Sequence, residues 1–295
     1  MSRYYSGIVR NLKTFFRIVS STKSSLFGFT VVVGYIIMAL LGPYIVPLSL
    51  VGGTYEKWLP PSLEHPLGTD YLGRDIFAQV VHGAYEVLLL ATVVAVFTVI
   101  MAVFMGTVAG ASGGKVDAAL TFITDVMLTI PSFPLLVVIA TTFKRPNMFM
   151  LGLAMALVSW PSTARAIRSQ VLSLKRRDFV EASRCMGIST PFIILYDIMP
   201  QIIPYVATST VLIMLSAIYN LIGLALIGAI PWSEVNWGIM INTVWNLGYL
   251  SSGQSIGAYW WTWVPAGAAI TLLCSAFYFL GRGLEEIVNP RLRKR

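Results

Sequence analysis

The chain has 295 residues, of which 56% are hydrophobic and only 12% are charged, and its net charge is +8. A soluble domain carries about a quarter charged residues, so this composition excludes an ordinary soluble protein and indicates an integral membrane protein. The chain lacks the basic soluble face that nucleic-acid partners require, so we expect no nucleic acid among its partners.

About 20 apolar residues are needed for a helix to cross the hydrocarbon core of a bilayer. On this criterion we predict an all-α integral membrane fold with six transmembrane helices. The fourth of them is short and contains Trp160 and Pro161. The predicted spans are residues 26–47, 86–110, 119–142, 147–164, 202–228 and 260–282.

Six spans place both termini on the same side of the membrane. Seventeen of the 21 lysines and arginines fall on that side, including six in the loop at 165–200. Because cytoplasmic loops carry the excess of basic residues, we expect the termini and this loop to be cytoplasmic, in a multi-pass protein of the cell membrane. The expected organisation is a cytoplasmic segment (1–25), a transmembrane domain (26–285) and a basic cytoplasmic tail (286–295).

The two long external stretches differ in character. The first, residues 48–84, ends in an apolar piece at 76–82 that is too short to span, and we expect this piece to lie along the outer interface or pack on the spans. Residues 110–117 predict a tight cytoplasmic turn between spans. The second stretch, residues 229–259, carries aromatic residues typical of an interfacial belt: Trp232, Trp237, Trp245, Tyr249, Tyr259, Trp260 and Trp261.

Patterns for catalysis and cofactor binding are incomplete. A phosphate-binding loop requires Gly-Lys-Ser/Thr, but Val116 follows Gly114-Lys115, so we expect no ATP site in this chain. His65 and His82 have no ligand cluster beside them, which gives a metal site little support. No histidine accompanies a serine in a nucleophile–base pattern, so no catalytic residue is predicted.

Asp125 and one face of the fifth span are weak candidates for a substrate pathway. A carboxylate at membrane depth is a functional candidate, although a structural residue paired with arginine is the alternative. Ser209, Ser216 and Asn220 form one helical stripe with Gly223. The stripe suits a pathway lining or the packing of small residues between helices.

The segment 178–200 is polar, although it lies between apolar stretches. Asp178, with Glu181 three residues later, predicts the N-cap of a helix over 178–186. Phe179, Ala182 and Met186 share one face of that helix. An apolar face outside the bilayer is typical of a helix that docks in the groove of a partner protein.

A second short helix follows the first across a glycine. Gly187 lies where a helix C-cap favours positive φ. Thr190 before Pro191 predicts the next N-cap. Cys185 lies in this loop and Cys274 in the last span, so we expect no disulfide between them.

The spacing of this segment resembles the EAA loop of permease subunits of bacterial and archaeal ABC importers. Ser183 stands where a second alanine is usual, and Met199 where leucine is usual. The extra residue before Ile198 is typical of the dipeptide/oligopeptide/nickel branch. The motif comprises Glu181-Ala182-Ser183, Gly187 and Ile198-Met199-Pro200.

Further motifs of the same branch extend from about residue 25 to 291, and they are similar to the second permease type. One departure is Ile230-Pro231-Trp232-Ser233, which replaces a longer proline-rich stretch before Trp237-Gly238. The matching motifs are His65-Pro66-Leu67-Gly68-Thr69-Asp70, Gly73-Arg74-Asp75, Gly113-Gly114-Lys115-Val116-Asp117, Trp160-Pro161-Ser162, Ala164-Arg165, Gly281-Arg282-Gly283-Leu284 and Asn289-Pro290-Arg291.

The resemblance implies a type I ABC importer permease fold and a transport role without enzymatic activity. It implies four partners: a second, related permease, two cytoplasmic ATPase subunits that bind ATP and Mg, and an extracytoplasmic substrate-binding protein. Short peptides are the expected cargo, with oligosaccharides or nickel as alternatives and a stand-alone channel or membrane enzyme as a different class. The residues it assigns to ATPase coupling are Asp178, Phe179, Glu181, Ala182, Ser183, Met186, Gly187, Ile198 and Pro200.

Overall fold

The computed structural model describes residues 22–49, 54–142, 147–230, 235–246 and 259–288. The secondary structure of these residues is helical apart from one isolated bridge between Thr69 and Asp75. In chain order the helices are α1 (Lys23–Ile45), α2 (Ile76–Ser112), α3 (Gly114–Thr129), α4 (Ser132–Thr142), α5 (Met148–Leu174), α6 (Asp178–Cys185), α7 (Thr190–Leu226), α8 (Trp237–Asn246) and, after a 3₁₀ turn at Trp260–Thr262, α9 (Val264–Val288).

Four helices in the described part of the chain are long and apolar enough to cross a membrane: α1, α2, α7 and α9. The pair α3 and α4 would make a fifth if both belong to one span. The all-helical, multi-pass character is therefore confirmed, whereas the count of six spans stays a prediction. The first 21 residues and residues 289–295 lie outside the described ranges, as do most of the expected terminal segments.

Helix α2 corrects the prediction for the first external stretch. Residues 76–82 do not form a separate interfacial piece, since α2 begins at Ile76 and continues unbroken to Ser112. The Asp75 side chain caps the helix by accepting a hydrogen bond from the Ala78 amide at 2.9 Å. Ile76 and Val81 are buried, so tertiary packing holds these first turns in the helix.

The predicted third span is broken. Helices α3 and α4 meet at an angle of 79° across Ile130 and Pro131. A proline disfavours the α conformation in the residue before it, and Ile130 has extended angles of φ −82° and ψ 124°. The span predicted over 119–142 is therefore not one continuous helix in the structure.

Two predicted loops, 165–200 and 110–117, are largely helical in the structure. Helix α5 extends beyond the predicted 147–164 to Leu174, and α7 begins at Thr190 instead of near 202. The coupling loop expected at about 165–200 therefore contains non-helical residues only at 175–177 and 186–189. The turn expected at 110–117 is reduced to Gly113, which has positive φ, between α2 and α3.

The most extensive packing between helices joins α2 and α5. Glycines allow the close approach, because a Cβ added at Gly106 would lie 2.5 Å from the Ala164 carbonyl oxygen. A Cβ at Gly110 would lie 2.8 Å from Val171 Cβ. The two helices are thus held together almost backbone to backbone.

Some of the aromatic residues expected in a membrane belt are buried in the structure, and others are exposed. Trp237 is fully buried in the main core, and its indole N–H donates to the Val80 carbonyl at 2.9 Å. This burial corrects the prediction that Trp237 belongs to an interfacial belt. Trp245 and Trp260 are exposed, and Trp232 and Tyr249 lie outside the described residues.

Candidate functional site

The segment between α5 and α7 presents the short helix α6. Its first turn carries Asp178 and Glu181, and its last turn carries Arg184. This charge order is favourable for the helix dipole, which is positive at the N-terminus and negative at the C-terminus. Asp178 is the first helical residue and not the N-cap; Arg177 occupies that position without a capping side-chain bond.

One face of α6 is anchored to the protein. Val180 is 0% exposed and Ser183 is 7% exposed. Val180 belongs to a buried cluster with Ile167 of α5 and with Ile193 and Ile198 of α7. Helix α6 therefore contacts both α5 and α7 through the buried Val180 side chain.

The remaining surface of α6 is exposed and partly apolar. Phe179 is 42% exposed and Met186 is 70% exposed, and Ala182 and Glu181 are exposed as well. The apolar surface continues along the next helix through Phe192 and Tyr196, whose rings stack at 5.8 Å. We call the exposed residues Phe179, Ala182, Met186, Ile188, Phe192 and Tyr196 the apolar surface of the segment.

Gly187 ends α6 as predicted. Its φ is +79°, in the left-handed region. The Ile188 amide donates to the Ser183 carbonyl at 3.2 Å, and the Gly187 amide donates to the Arg184 carbonyl at 2.9 Å. These two bonds form a Schellman motif, which requires left-handed angles at the glycine.

Helix α7 begins with an irregular turn. Its N-cap is Ser189, and the predicted cap Thr190 is the first helical residue. Residues Ile193–Ile198 form a π turn, in which the Met199 amide donates to the Ile194 carbonyl. A π turn holds more residues than an α turn, so it takes up the extra residue before Ile198. Ile198 is buried and Pro200 is exposed.

Ser183 also makes a contact that the sequence analysis did not identify. Its hydroxyl donates to the Asp197 carboxylate at 2.8 Å and thereby joins α6 to the π turn. The only signal in the sequence was the serine in place of the usual alanine. Asp197 carried no signal of its own.

Charged side chains fasten α5 to its neighbours near this segment. The Arg168 guanidinium donates two hydrogen bonds to the Asp117 carboxylate of α3, at 2.5 and 2.7 Å. The Lys175 ammonium donates to the Gly110 and Ala111 carbonyls at the end of α2, at 3.1 and 2.7 Å. Lys175 thus satisfies two carbonyls that the end of α2 would leave unpaired.

Asp125 forms an ion pair with Arg165, and this contact supports a structural role for the carboxylate. Along α7, Ser209 is buried, Asn220 is half-buried and Ser216 is exposed. At Gly223 an added Cβ would lie 2.9 Å from the Phe133 ring, which is helix packing. A pathway role for Asp125, Ser209, Ser216 and Asn220 stays a prediction.

The histidines have other contacts. His65 Nδ1 lies 2.8 Å from an Asp75 carboxylate oxygen, and His82 Nε2 lies 2.7 Å from the Val46 carbonyl. Within the described ranges, three or more His, Cys, Asp or Glu side chains do not come together as a metal-binding group. Cys185 is exposed and Cys274 is buried, and both are free thiols.

A cavity of about 240 Å³ lies between the loop before α2 and helix α8 and is lined by both polar and apolar side chains. Asp70 in its wall accepts hydrogen bonds from the Arg74 and Gln79 side chains at 2.7 and 3.1 Å. The Asn236 side-chain oxygen Oδ1 caps α8 by accepting from the Gly238 and Ile239 amides. These contacts order the loop–helix junction.

Comparison with known proteins identifies the family. Residues 102–294 match the family described as binding-protein-dependent transport system inner membrane component. The chain is 30% identical to the dipeptide transport system permease protein of Bacillus subtilis, over 94% of this chain and 85% of that protein. It is 29% identical to the oligopeptide transport system permease protein of the same organism, over 93% and 88%. The chain belongs to the family of inner membrane components of binding-protein-dependent transport systems, and it is a membrane permease and not an enzyme.

Proposed function

We propose that this chain is one of two related permease subunits in an ATP-driven importer of short peptides. The observation that carries the proposal is α6, which keeps one narrow face buried and exposes Phe179 and Met186 at the end of α5. Such a face requires a partner, since exposed apolar side chains outside a bilayer are stabilised by docking in a groove. The peptide cargo is proposed from the printed names of the relatives.

The proposed topology has six spans with both termini in the cytoplasm. In it, α3 and α4 together form one span and the apolar first part of α5 forms another. The strong bias of lysine and arginine toward one side supports the orientation. The apolar surface of the segment then faces the cytoplasm, where an ATPase subunit can reach it.

The proposed partners are a second permease, two ATPase subunits carrying ATP and Mg, and a binding protein that delivers the peptide. Helix α6 docks in a groove of one ATPase. When ATP binding closes the ATPase pair, α6 moves and the spans shift from inward-open to outward-open. ATP can drive this change because it binds the closed ATPase state more tightly than the open state. Asp178, Phe179, Glu181, Ala182, Met186 and Gly187 form the docking helix and its joint, and Ile198 and Pro200 belong to the first part of α7, which follows the joint.

The test begins with the purified importer. The chain is expressed together with the candidate partner subunits of its source organism, and the ATPase that co-purifies is quantified. Phe179→Asp should reduce the retained ATPase at least tenfold, because a carboxylate in an apolar groove is left unpaired. Leu63→Asp is the matched control, since Leu63 is an exposed apolar side chain in the loop before α2.

Cargo is tested with the same importer in vesicles that also contain ATP. The probe is a casein hydrolysate of peptides two to eight residues long, and the luminal contents are analysed by mass spectrometry. Peptide accumulation that requires ATP and the binding protein supports the proposal. A chain that purifies without any ATPase, or Phe179→Asp that retains it fully, contradicts the docking role. Uptake of malto-oligosaccharides or nickel instead of peptides contradicts the cargo.

A further inference from the structure

The hydrogen bond between Ser183 and Asp197 joins α6 to the first part of α7. The serine hydroxyl donates to the carboxylate at 2.8 Å, and the Phe179 carbonyl lies farther away at 3.1 Å. Ser183 is buried and Asp197 is half-buried, so the bond is partly shielded from water. Hydrogen bonds to an ionised acceptor are about twice as strong as neutral ones.

The Ser183–Asp197 bond fixes the orientation of α6, which the apolar contact of Val180 does not fix. Val180 lies one turn before Ser183 on the same face of α6, and its burial is non-directional. One apolar side chain in a cluster leaves a short helix free to rotate about it. A second, directional contact one turn away fixes that rotation.

The π turn determines where Asp197 lies. In an α-helix each residue advances by about 100°, so one extra residue would rotate all residues before it by that angle relative to Ile198. The π turn at Ile193–Ile198 takes up the extra residue, and in this geometry Asp197 faces Ser183 while Ile193 and Ile198 remain buried.

We propose that Ser183 and Asp197 are positioning residues that transmit movement of α6 to α7. Their hydrogen bond fixes the orientation of the docking helix, so that a displacement imposed on α6 is passed to the long helix that continues from the π turn. The inference rests on the proposed docking of α6 with an ATPase. Removing the bond leaves docking intact and allows α6 to turn without moving α7.

The test compares Ser183→Ala, Asp197→Ala, the double variant and Asp197→Asn in the complete importer. Alanine has the highest helix propensity, so Ser183→Ala does not weaken α6 itself. Asp197→Asn keeps an oxygen that accepts from the serine. Ser173→Ala is the matched control, because Ser173 is an exposed serine in α5.

The measured quantity is the amount of casein-hydrolysate peptide accumulated per ATP hydrolysed in vesicles. Each alanine variant should retain its ATPase and lower this ratio about fivefold, as loss of a hydrogen bond to a charged group permits. The double variant should be no worse than either single variant, since both remove the same bond. Asp197→Asn should keep at least half of the wild-type ratio, and Ser173→Ala all of it.

Three results would overturn the inference. One is a wild-type ratio in Ser183→Ala or Asp197→Ala. Another is a double variant whose loss is the product of the two single losses. The third is a reduced amount of folded importer whose remaining molecules keep the wild-type ratio, which is the sign of a purely structural role. Phe179→Asp separates the two proposals: if it loses ATPase while Ser183→Ala keeps the normal ratio, docking stands and only the transmission role fails. If Phe179→Asp retains its ATPase, both fail.

Discussion

Substitutions at Gly187 separate backbone strain from side-chain size at the joint of the segment. The glycine has φ +79°, and an added Cβ would meet no heavy atom within 4 Å. A substitution therefore encounters open space, and its cost comes from the left-handed backbone alone. For alanine that cost is about 1–2 kcal/mol. For valine, which is β-branched, it is about 2–3 kcal/mol.

These energies predict a ranking of the Gly187 variants that differs from a ranking by side-chain size. A cost of 1–2 kcal/mol changes an equilibrium constant about 5- to 30-fold. Asparagine is the residue after glycine that best tolerates left-handed angles, so Gly187→Asn should be the mildest variant. Gly187→Leu is larger than Gly187→Val but not β-branched, so it should behave like Gly187→Ala. The expected order of coupling is wild type, Asn, then Ala with Leu, then Val.

The assay is peptide accumulated per ATP hydrolysed by the complete importer in vesicles. Circular dichroism and ATPase retention serve as controls, since α6 itself and its docking face keep their residues. Transport at the wild-type rate per ATP in Gly187→Val would refute the reasoning. So would an order that follows side-chain size, with leucine worse than valine.

Three further predictions concern the charges and the packing around this segment. Glu181→Lys reverses a favourable charge in the first turn of α6, worth about 0.3–1 kcal/mol, and should lower ATPase retention more than Glu181→Gln in pull-down experiments. Gly106→Ala should lower the unfolding free energy by about 1–3 kcal/mol because its Cβ meets an α5 carbonyl, whereas Gly34→Ala, which meets no atom within 4 Å, should not; equal thermal unfolding of the two would contradict this. Arg168→Met should destabilise the detergent-solubilised permease by about 2 kcal/mol, since Asp117 loses both hydrogen bonds from the guanidinium and keeps only the one from Thr121, and adding Asp117→Asn should recover part of the loss. No recovery in the double variant would show that the pair is not the cause.

Short-range patterns in the sequence predicted those features of the segment 178–200 that depend on neighbouring residues. The glycine at 187 has the left-handed angles expected of it, and the helix predicted at 178–186 is observed at Asp178–Cys185. The exposed face with Phe179 and Met186 was predicted as well. Each of these features depends on residues within one or two turns of each other.

Contacts between distant parts of the chain could not be predicted in the same way. Trp237 is typical of an interfacial belt by residue type, but its indole reaches a carbonyl at Val80, far earlier in the chain. Asp125 forms an ion pair with Arg165 on another helix, and the sequence around Asp125 does not specify that partner. The sequence does not identify Val180 as the buried anchor of α6, because an eight-residue helix with apolar residues on two sides does not specify which side is buried.

Two errors concern signals that were present in the sequence. Pro131 lies inside the predicted third span, and the restriction it places on Ile130 produces the sharp bend. Asp75 lies directly before the apolar residues 76–82, where its carboxylate caps a helix. Apolar composition identified both regions as membrane-associated, but composition does not locate the ends and breaks of helices.

The contacts of α5 determine how far a displacement of α6 can reach. Helix α5 is packed closely on α2 at Gly106, and Lys175 and Arg168 tie its second half to the end of α2 and to α3. These three helices therefore resist relative movement near the segment. Helix α7 is joined to α6 by the buried cluster around Val180 and by the Ser183–Asp197 bond. Helix α7 also packs on α2, α8 and α9, so a displacement passed from α6 to α7 would act on the main helix packing and not on a free helix.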